Sequence, residues 1–267
     1  MLENPRTPRV RNIAKLSRRE VRKDTGLYLL EGPQAVREAL TYRPDTIVEL
    51  FATPTALERH GDIRTLLTDE DIEAEYVTEQ VLDAMADTVT PQGFLAVARQ
   101  NPTALKDVFA AGPRLIAILE EVRDPGNLGT IIRAADAAGA DAVILTGRTV
   151  DPYNPKVVRS TTGSLFHLPI AVGAELEDVI ERAQGAGLRV IAADVKGEDL
   201  LEARAQGVLA QPTAWLFGNE AHGLEDSALE LVDSALRLPI YGQAESLNLA
   251  TAASVCLYES AFAHRAE

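Results

Sequence analysis

The chain has 267 residues, of which 46% are hydrophobic, with a formal charge of −14 at neutral pH and a single cysteine. That length allows one large domain or two ordinary ones, and the composition is that of a folded globular chain rather than a disordered one. No run approaches the roughly 18 apolar residues of a membrane-spanning helix, and the lone Cys256, set in an apolar run, has no partner for an internal disulfide, which fits a reducing cytoplasm.

The charge is unevenly distributed. Residues 1–23 carry eight basic side chains (Arg6, Arg9, Arg11, Lys15, Arg18, Arg19, Arg22 and Lys23) against Glu3 and Glu20, a local +6 beside −20 on the remainder. This start lacks the apolar core of a secretory signal. A cationic arm on an acidic body attracts a phosphate backbone, because the local field governs association. A solvated basic tail or helix face is the competing reading.

Beyond this arm, Tyr28-Leu29-Leu30-Glu31 predicts a short strand, and Gly32-Pro33 opens a helix to about residue 40. Strands follow at 46–52, 75–77 and 94–98, with helices at 56–67 and 79–86, an alternation that implies a small sheet flanked by helices. Asn101-Pro102 and Gly112-Pro113 bracket a connector with one helical turn between them. The expected division is therefore a first domain over 1–102, a linker over 103–113 and a second domain over 114–267. In the second domain, residues 115–119 form the continuous apolar run of a buried parallel strand. Further strands are expected at 141–145, 189–193, 214–217 and 235–238, with helices at 128–138, 176–186 and 247–265. The last helix carries the small-residue run Ala250-Thr251-Ala252-Ala253-Ser254, which permits close packing.

Three segments of this second domain bear polar residues where an open parallel sheet places ligands. The first, Asp124 to Ala135, joins a strand to a helix whose Ile131, Ala135 and Ala138 share the sheet-facing side, while Arg133 points elsewhere and could simply pair with Asp136. The second, Trp215-Leu216-Phe217-Gly218-Asn219-Glu220, ends a strand in a glycine followed by a carboxylate that either handles protons or caps the next helix. His222, just beyond it, has no partner at metal-ligand spacing and reads as a turn residue. The third runs from Leu238 to Ala250, where Ser246 is placed to cap the final helix and Asn248 lies in its first turn. Ser246 has no triad partners at a recognisable spacing. The glycines match neither GxGxxG nor a Walker loop, which disfavours a nucleotide-dependent metabolic enzyme.

Taken in order, NLGTIIRAADAAG, LFGNEAHGL and LPIYGQAESLNLATAASV resemble the three motifs of the SpoU/TrmH-like RNA 2′-O-ribose methyltransferases, members of the SPOUT class, across most of residues 114–264. The resemblance implies an α/β catalytic domain whose C-terminal segment threads a trefoil knot, a topology that general experience of folds would not suggest. The first domain resembles the small ribosomal-protein-like α/β domain that often precedes it. By the same resemblance, Gly218, Leu238, Ile240 and Leu247 hold S-adenosylmethionine, and Asn127, Arg133, Glu220, Ser246 and Asn248 surround the reacting ribose. A homodimer, no metal and a cytoplasmic setting are implied as well. Ribosomal RNA is the expected substrate, with Arg11, Lys15, Arg18, Arg19, Arg22 and Lys23 as the RNA-binding set. A transfer-RNA methyltransferase and a non-catalytic RNA-binding assembly factor are the alternatives. The family's usual base candidate is Arg133, but a guanidinium stays protonated in proteins. Its expected role is to stabilise the developing alkoxide and adjacent phosphate, with Glu220, Ser246 or water taking the proton.

Overall fold

The computed structural model describes residues 1–266, so Glu267, the end of the expected second domain, lies outside the described residues. The chain divides into two units, Met1–Asn101 with Asp151–His167, and Pro102–Val150 with Leu168–Glu267.

The first unit opens with α1 (Pro8–Ala14) and α2 (Arg19–Thr25). Then come β1 (Leu27–Glu31), α3 (Pro33–Tyr42), β2 (Ile47–Ala52), α4 (Pro54–Arg59), α5 (Gly61–Asp69), β3 (Ala74–Tyr76), α6 (Glu79–Met85) and β4 (Phe94–Arg99). The sheet order is β1-β4-β2-β3, antiparallel except for β2 with β3. Side chains alternate between its faces. Leu29, Phe51, Leu95 and Val97 meet Val10, Ile13 and Leu16 on one side, with Val81, Leu82 and Met85 of α6. Tyr28, Leu30, Leu50, Phe94 and Ala96 meet α3 and α5 on the other. The basic N-terminal stretch is therefore a folded layer and not a free arm, because Val10, Ile13 and Leu16 cover one face of the sheet. The helix expected at 56–67 is two helices. His60 takes a non-helical backbone (φ −114°, ψ 69°), and Gly61 after it is a weak helix former.

The second unit holds α7 (Leu105–Ala110), β5 (Leu115–Glu120), α8 (Pro125–Ala138) and β6 (Ala142–Thr146). The chain then returns to the first unit for residues 151–167, which include α9 (Pro155–Thr161). Tyr153 and Val158 of this return join the first core. The second unit resumes with β7 (Ile170–Ala174), α10 (Leu176–Gly185), β8 (Arg189–Asp199), α11 (Leu200–Ala205), β9 (Thr213–Phe217), α12 (Asp226–Leu229), β10 (Ser234–Arg237) and α13 (Leu249–Arg265). Its six strands are all parallel, in the order β10-β8-β9-β5-β6-β7.

Helices α7 and α10 cover one face of this sheet, where Ile116, Ile118, Ile144, Val190 and Leu216 pack on Val179 and Ile180. On the other side α13 lies against α8, β5 and β9. Ala250 and Ala253 are buried there, and Trp215 Nε1 donates to Ser260 Oγ at 2.9 Å within the core. Burial pushes the Cys256 thiol up, as suits an inert packing residue. α13 begins at Leu249, and its cap is Asn248, not Ser246 as the sequence suggests. Asn248 Oδ1 accepts from Ala250 N at 2.9 Å and Thr251 N at 3.3 Å, while Ser246 stays exposed in the preceding loop.

Candidate active site

Strand β9 ends at Phe217 beside the end of β5, so the loops leaving these two neighbours are adjacent. Asn219 fastens them together, its Nδ2 donating to Glu121 O at 2.8 Å. The turn after β9 folds back on itself through paired hydrogen bonds between Asn219 and Gly223. Gly218 permits this fold. A Cβ there would fall 2.5 Å from the Gly223 carbonyl and 2.8 Å from Leu224 Cγ, so only glycine fits without movement.

Glu220 then reaches the start of α8. Its Oε1 accepts from Asp124 N at 3.1 Å and Asn127 Nδ2 at 3.2 Å, and its Oε2 accepts from Arg123 N at 3.2 Å. Asp124 caps the same helix, accepting from Asn127 N at 2.7 Å. The other side of Asn127 is taken by α13, where Asn248 Nδ2 donates to Asn127 Oδ1 at 3.0 Å. Glu220, Asn127 and Asn248, 121 residues apart at the extremes of the last contact, thus form one bonded chain. Burial pulls the Glu220 carboxyl upward. Hydrogen bonds from its own backbone N–H, from Asp124 and Arg123, and from Asn127 outweigh that and leave it below the ordinary carboxylate value. Glu220 is accordingly held as a hydrogen-bond acceptor at the first turn of α8, and these bonds favour its carboxylate form.

A cavity of about 390 Å³ opens beside this chain. Leu238, Ile240 and Leu247 line it, as do Glu220 and Ser246. Gly218 does not line it and serves the turn described above. The sequence reading missed Asp194 and Lys196, which also line the cavity. Strand β8 runs on past residue 193, where its apolar pattern ends, and the carboxyl end of a strand beside β9 was the available signal.

Arg133 stands apart within the chain. It is exposed on α8, six residues beyond Asn127, which places it about 9 Å along the axis and on a different side of the helix. Its guanidinium has no hydrogen bond or ion pair with a described residue.

Of the expected RNA-binding residues, Arg11, Lys15, Arg18, Arg19 and Lys23 are exposed. Arg22 is a correction. Only 1% of it is accessible, its Nη1 donates to Leu16 O and Ser17 O at 2.9 and 2.8 Å, and its Nε and Nη2 meet Asp151 Oδ2 at 2.8 and 2.7 Å. Its donors are spent on holding the first unit together, which removes it from the RNA-facing set. Among the described residues, no group of three His, Cys, Asp or Glu side chains could hold a metal ion, and no helix is long and apolar enough to cross a membrane.

Comparison with known proteins decides the family. Residues 114–258 match the SpoU rRNA Methylase family, and residues 29–104 match the family of RNA 2′-O ribose methyltransferase substrate-binding domains. The chain belongs to the SpoU family. This SpoU member is 34% identical over 257 residues to the 23S rRNA (guanosine(2553)-2′-O)-methyltransferase RlmP of Bacillus subtilis, covering 96% of this chain and 97% of that protein. Among solved structures it is similar to the AdoMet-bound rRNA methyltransferase of Sinorhizobium meliloti, with a TM-score of 0.84, 32% identity, and coverage of 97% and 96%. It is also similar to the SpoU methyltransferase AviRb of Streptomyces viridochromogenes in complex with AdoMet, with a TM-score of 0.84, 29% identity, and coverage of 98% and 100%. The α/β architecture, a small N-terminal domain before a SpoU domain, is thus that of the SPOUT structures.

Proposed function

We propose that this chain transfers a methyl group from S-adenosylmethionine to a ribose 2′-hydroxyl of ribosomal RNA. The observation that carries the reading is the bonded chain Glu220–Asn127–Asn248 at the edge of a cavity of about 390 Å³, within the range of small-molecule sites. The cavity suits the cofactor chemically. Leu238, Ile240 and Leu247 offer apolar wall to a purine, and Asp194 and Glu220 offer carboxylates to hydroxyls and to a sulfonium cation. Bound there, S-adenosylmethionine supplies a methyl group already activated for transfer.

The residues of the chain then have orientation as their main task, which alone can lower a barrier by several kcal/mol. Glu220 fixes the first turn of α8, and Asn127 and Asn248 lock that turn to the last helix. The ribose oxygen must also lose its proton. Ser246, exposed beside the cavity, is the group we assign to pass it to water. Arg133 stabilises the developing alkoxide and the neighbouring phosphate.

Arg133 reaches that position from a second subunit. α13 exposes Val255, Tyr258 and Phe262 at helical spacing, and the Tyr258 hydroxyl donates to Ala137 O of α8 at 3.3 Å, one turn from Arg133. A homodimer formed on this stripe carries Arg133 of each chain toward its partner. The family's trefoil knot belongs to the same proposal. It is supported by the return of α13 onto α8, β5 and β9 after the loop that follows β10. The exposed cations of residues 1–23 hold the RNA, and a single cysteine, with no partner for an internal disulfide, together with a ribosomal substrate supports a cytoplasmic setting. The test is incubation of the purified protein with methyl-labelled S-adenosylmethionine and protein-free rRNA or tRNA. Label is expected in rRNA, as an alkali-resistant dinucleotide. Label in tRNA alone, on a base, or nowhere contradicts the reading.

A further inference from the structure

The first unit holds a second cavity, of about 550 Å³, at the end of the sheet where β1 and β2 finish and β4 begins. Its floor is rigid. Gly32 N donates to Phe94 O at 3.0 Å, and Thr53 N donates to Gly93 O at 2.9 Å. Gly93 sits at φ +84°, where a Cβ would fall 2.4 Å from Ala56 Cβ, so the β2 and β4 loops are held together.

The rim is supplied with uncommitted groups. Arg59 is exposed and makes no hydrogen bond or ion pair with a described residue, and neither the Gln92 amide nor the Thr55 hydroxyl is engaged. His60 is half-buried, its ring edge-on to Phe94 with centroids 5.6 Å apart, which leaves an aromatic surface braced from behind. Glu79 adds one acceptor. Just before Pro91 and Gln92, Val89 is 99% exposed, an apolar side chain with no packing partner at the loop tip.

These features suit one ligand class. An aromatic surface stacks on a base, an amide presents a donor and an acceptor to a base edge, and a free guanidinium takes a phosphate. A lone carboxylate suits an exocyclic amino group. We propose that this cavity receives an unpaired nucleotide of the RNA substrate, with Arg59 on its phosphate, His60 against its base and Gln92 on its base edge. The inference rests on the RNA-methyltransferase reading for the identity of the RNA, and it extends the RNA surface beyond the N-terminal cations. Arg59 lies outside residues 1–23, and an unpaired nucleotide is what sequence-specific RNA recognition commonly uses.

The test uses the full chain and a transcribed large-subunit rRNA carrying 4-thiouridine. Photo-cross-links are expected in the peptides containing Arg59–His60 or Gln92. Arg59→Glu and Gln92→Ala are each expected to weaken rRNA binding by about fivefold or more, roughly the loss of one phosphate or base contact. Arg59→Lys should recover most of the loss, and S-adenosylmethionine affinity should stay unchanged in all three. Since these side chains hold no other residue, folding is preserved and melting curves check it. Wild-type affinity in Arg59→Glu, or cross-links confined to other peptides, overturns the proposal while leaving methyl transfer standing. Free AMP or UMP binding as tightly as rRNA also overturns it, in favour of a mononucleotide site. A protein that cross-links here yet transfers no methyl group supports this site and overturns the methyltransferase reading.

Discussion

Asn248 donates through Nδ2 to Asn127 Oδ1 at 3.0 Å while its own Oδ1 caps α13, so one side chain both starts the last helix and ties it to the first turn of α8. The two roles can be separated. Asn248→Asp keeps the capping oxygen and loses the donor. Its melting temperature should stay near that of the wild type while methyl transfer falls about tenfold or more, because placement within a fraction of an ångström governs such sites. Asn248→Ala should lose activity as well as about 1 kcal/mol of stability. Parallel melting curves and single-turnover rates distinguish them, and full activity in Asn248→Asp would remove the tie from the account.

Glu220 gives a prediction in pH. Its folded-state value lies below the ordinary one, so the folded protein favours the carboxylate. That contribution is present at neutral pH and is lost as the pH falls through the folded value. The stability difference between wild type and Glu220→Gln should therefore narrow on acidification. A fixed acceptor also gives no rate limb near neutrality. A limb between pH 6 and 8, about where a useful base titrates, that vanishes in Glu220→Gln would restore Glu220 as the base.

The basic N-terminal stretch separates by burial. Arg22→Ala strands Asp151 and two carbonyls and should cost about 3–5 kcal/mol. Reversing the exposed Arg18, Arg19 and Lys23 to glutamate should leave the melting temperature within a few degrees and flatten the salt dependence of rRNA binding. Deleting residues 1–23 is the poorer experiment, since it also strips Val10, Ile13 and Leu16 from the first core. Unchanged salt dependence in the triple variant would end the RNA role of this surface.

For Arg133, Lys and Ala replacements under single-turnover conditions test charge against proton transfer. Arg133→Lys should keep more activity than Arg133→Ala, with no new limb that follows the lysine ammonium. Mixing inactive Arg133→Ala with inactive Asn248→Ala tests the shared site. Random exchange in a dimer should restore about one quarter of wild-type activity, since half the dimers then carry one intact site. No recovery after verified subunit exchange would place Arg133 and Asn248 in the same subunit's site.

The four strands of the first sheet and five of the six in the second were legible because each is a short apolar run bounded by turn residues, as in Leu115–Glu120 and Phe94–Arg99. The edge strand β7 was not, since only Ile170 and Ala171 of its five residues are buried and Gly173 interrupts the apolar run. The polar set was legible only jointly. Asn127, Glu220 and Asn248 each have an ordinary local explanation, and it is their order along the chain that resembles a family. What stayed hidden depended on long-range contacts. Arg22 looks like any arm cation until Asp151, 129 residues away, is brought to it. The return of residues 151–167 to the first unit leaves no mark in local periodicity. The cap falls on Asn248 and not Ser246; both residue types can cap, and the bond that Asn248 also makes to Asn127 is invisible to local sequence.

The central claim is methylation of an rRNA ribose, and the most direct measurement is mapping of 2′-O-methylation across rRNA from cells with and without this protein. One ribose should be methylated in its presence, lose the mark in its absence and regain it with the wild-type chain but not with Asn248→Asp. An unchanged ribose-methylation map, with the protein shown to be expressed, would contradict the account.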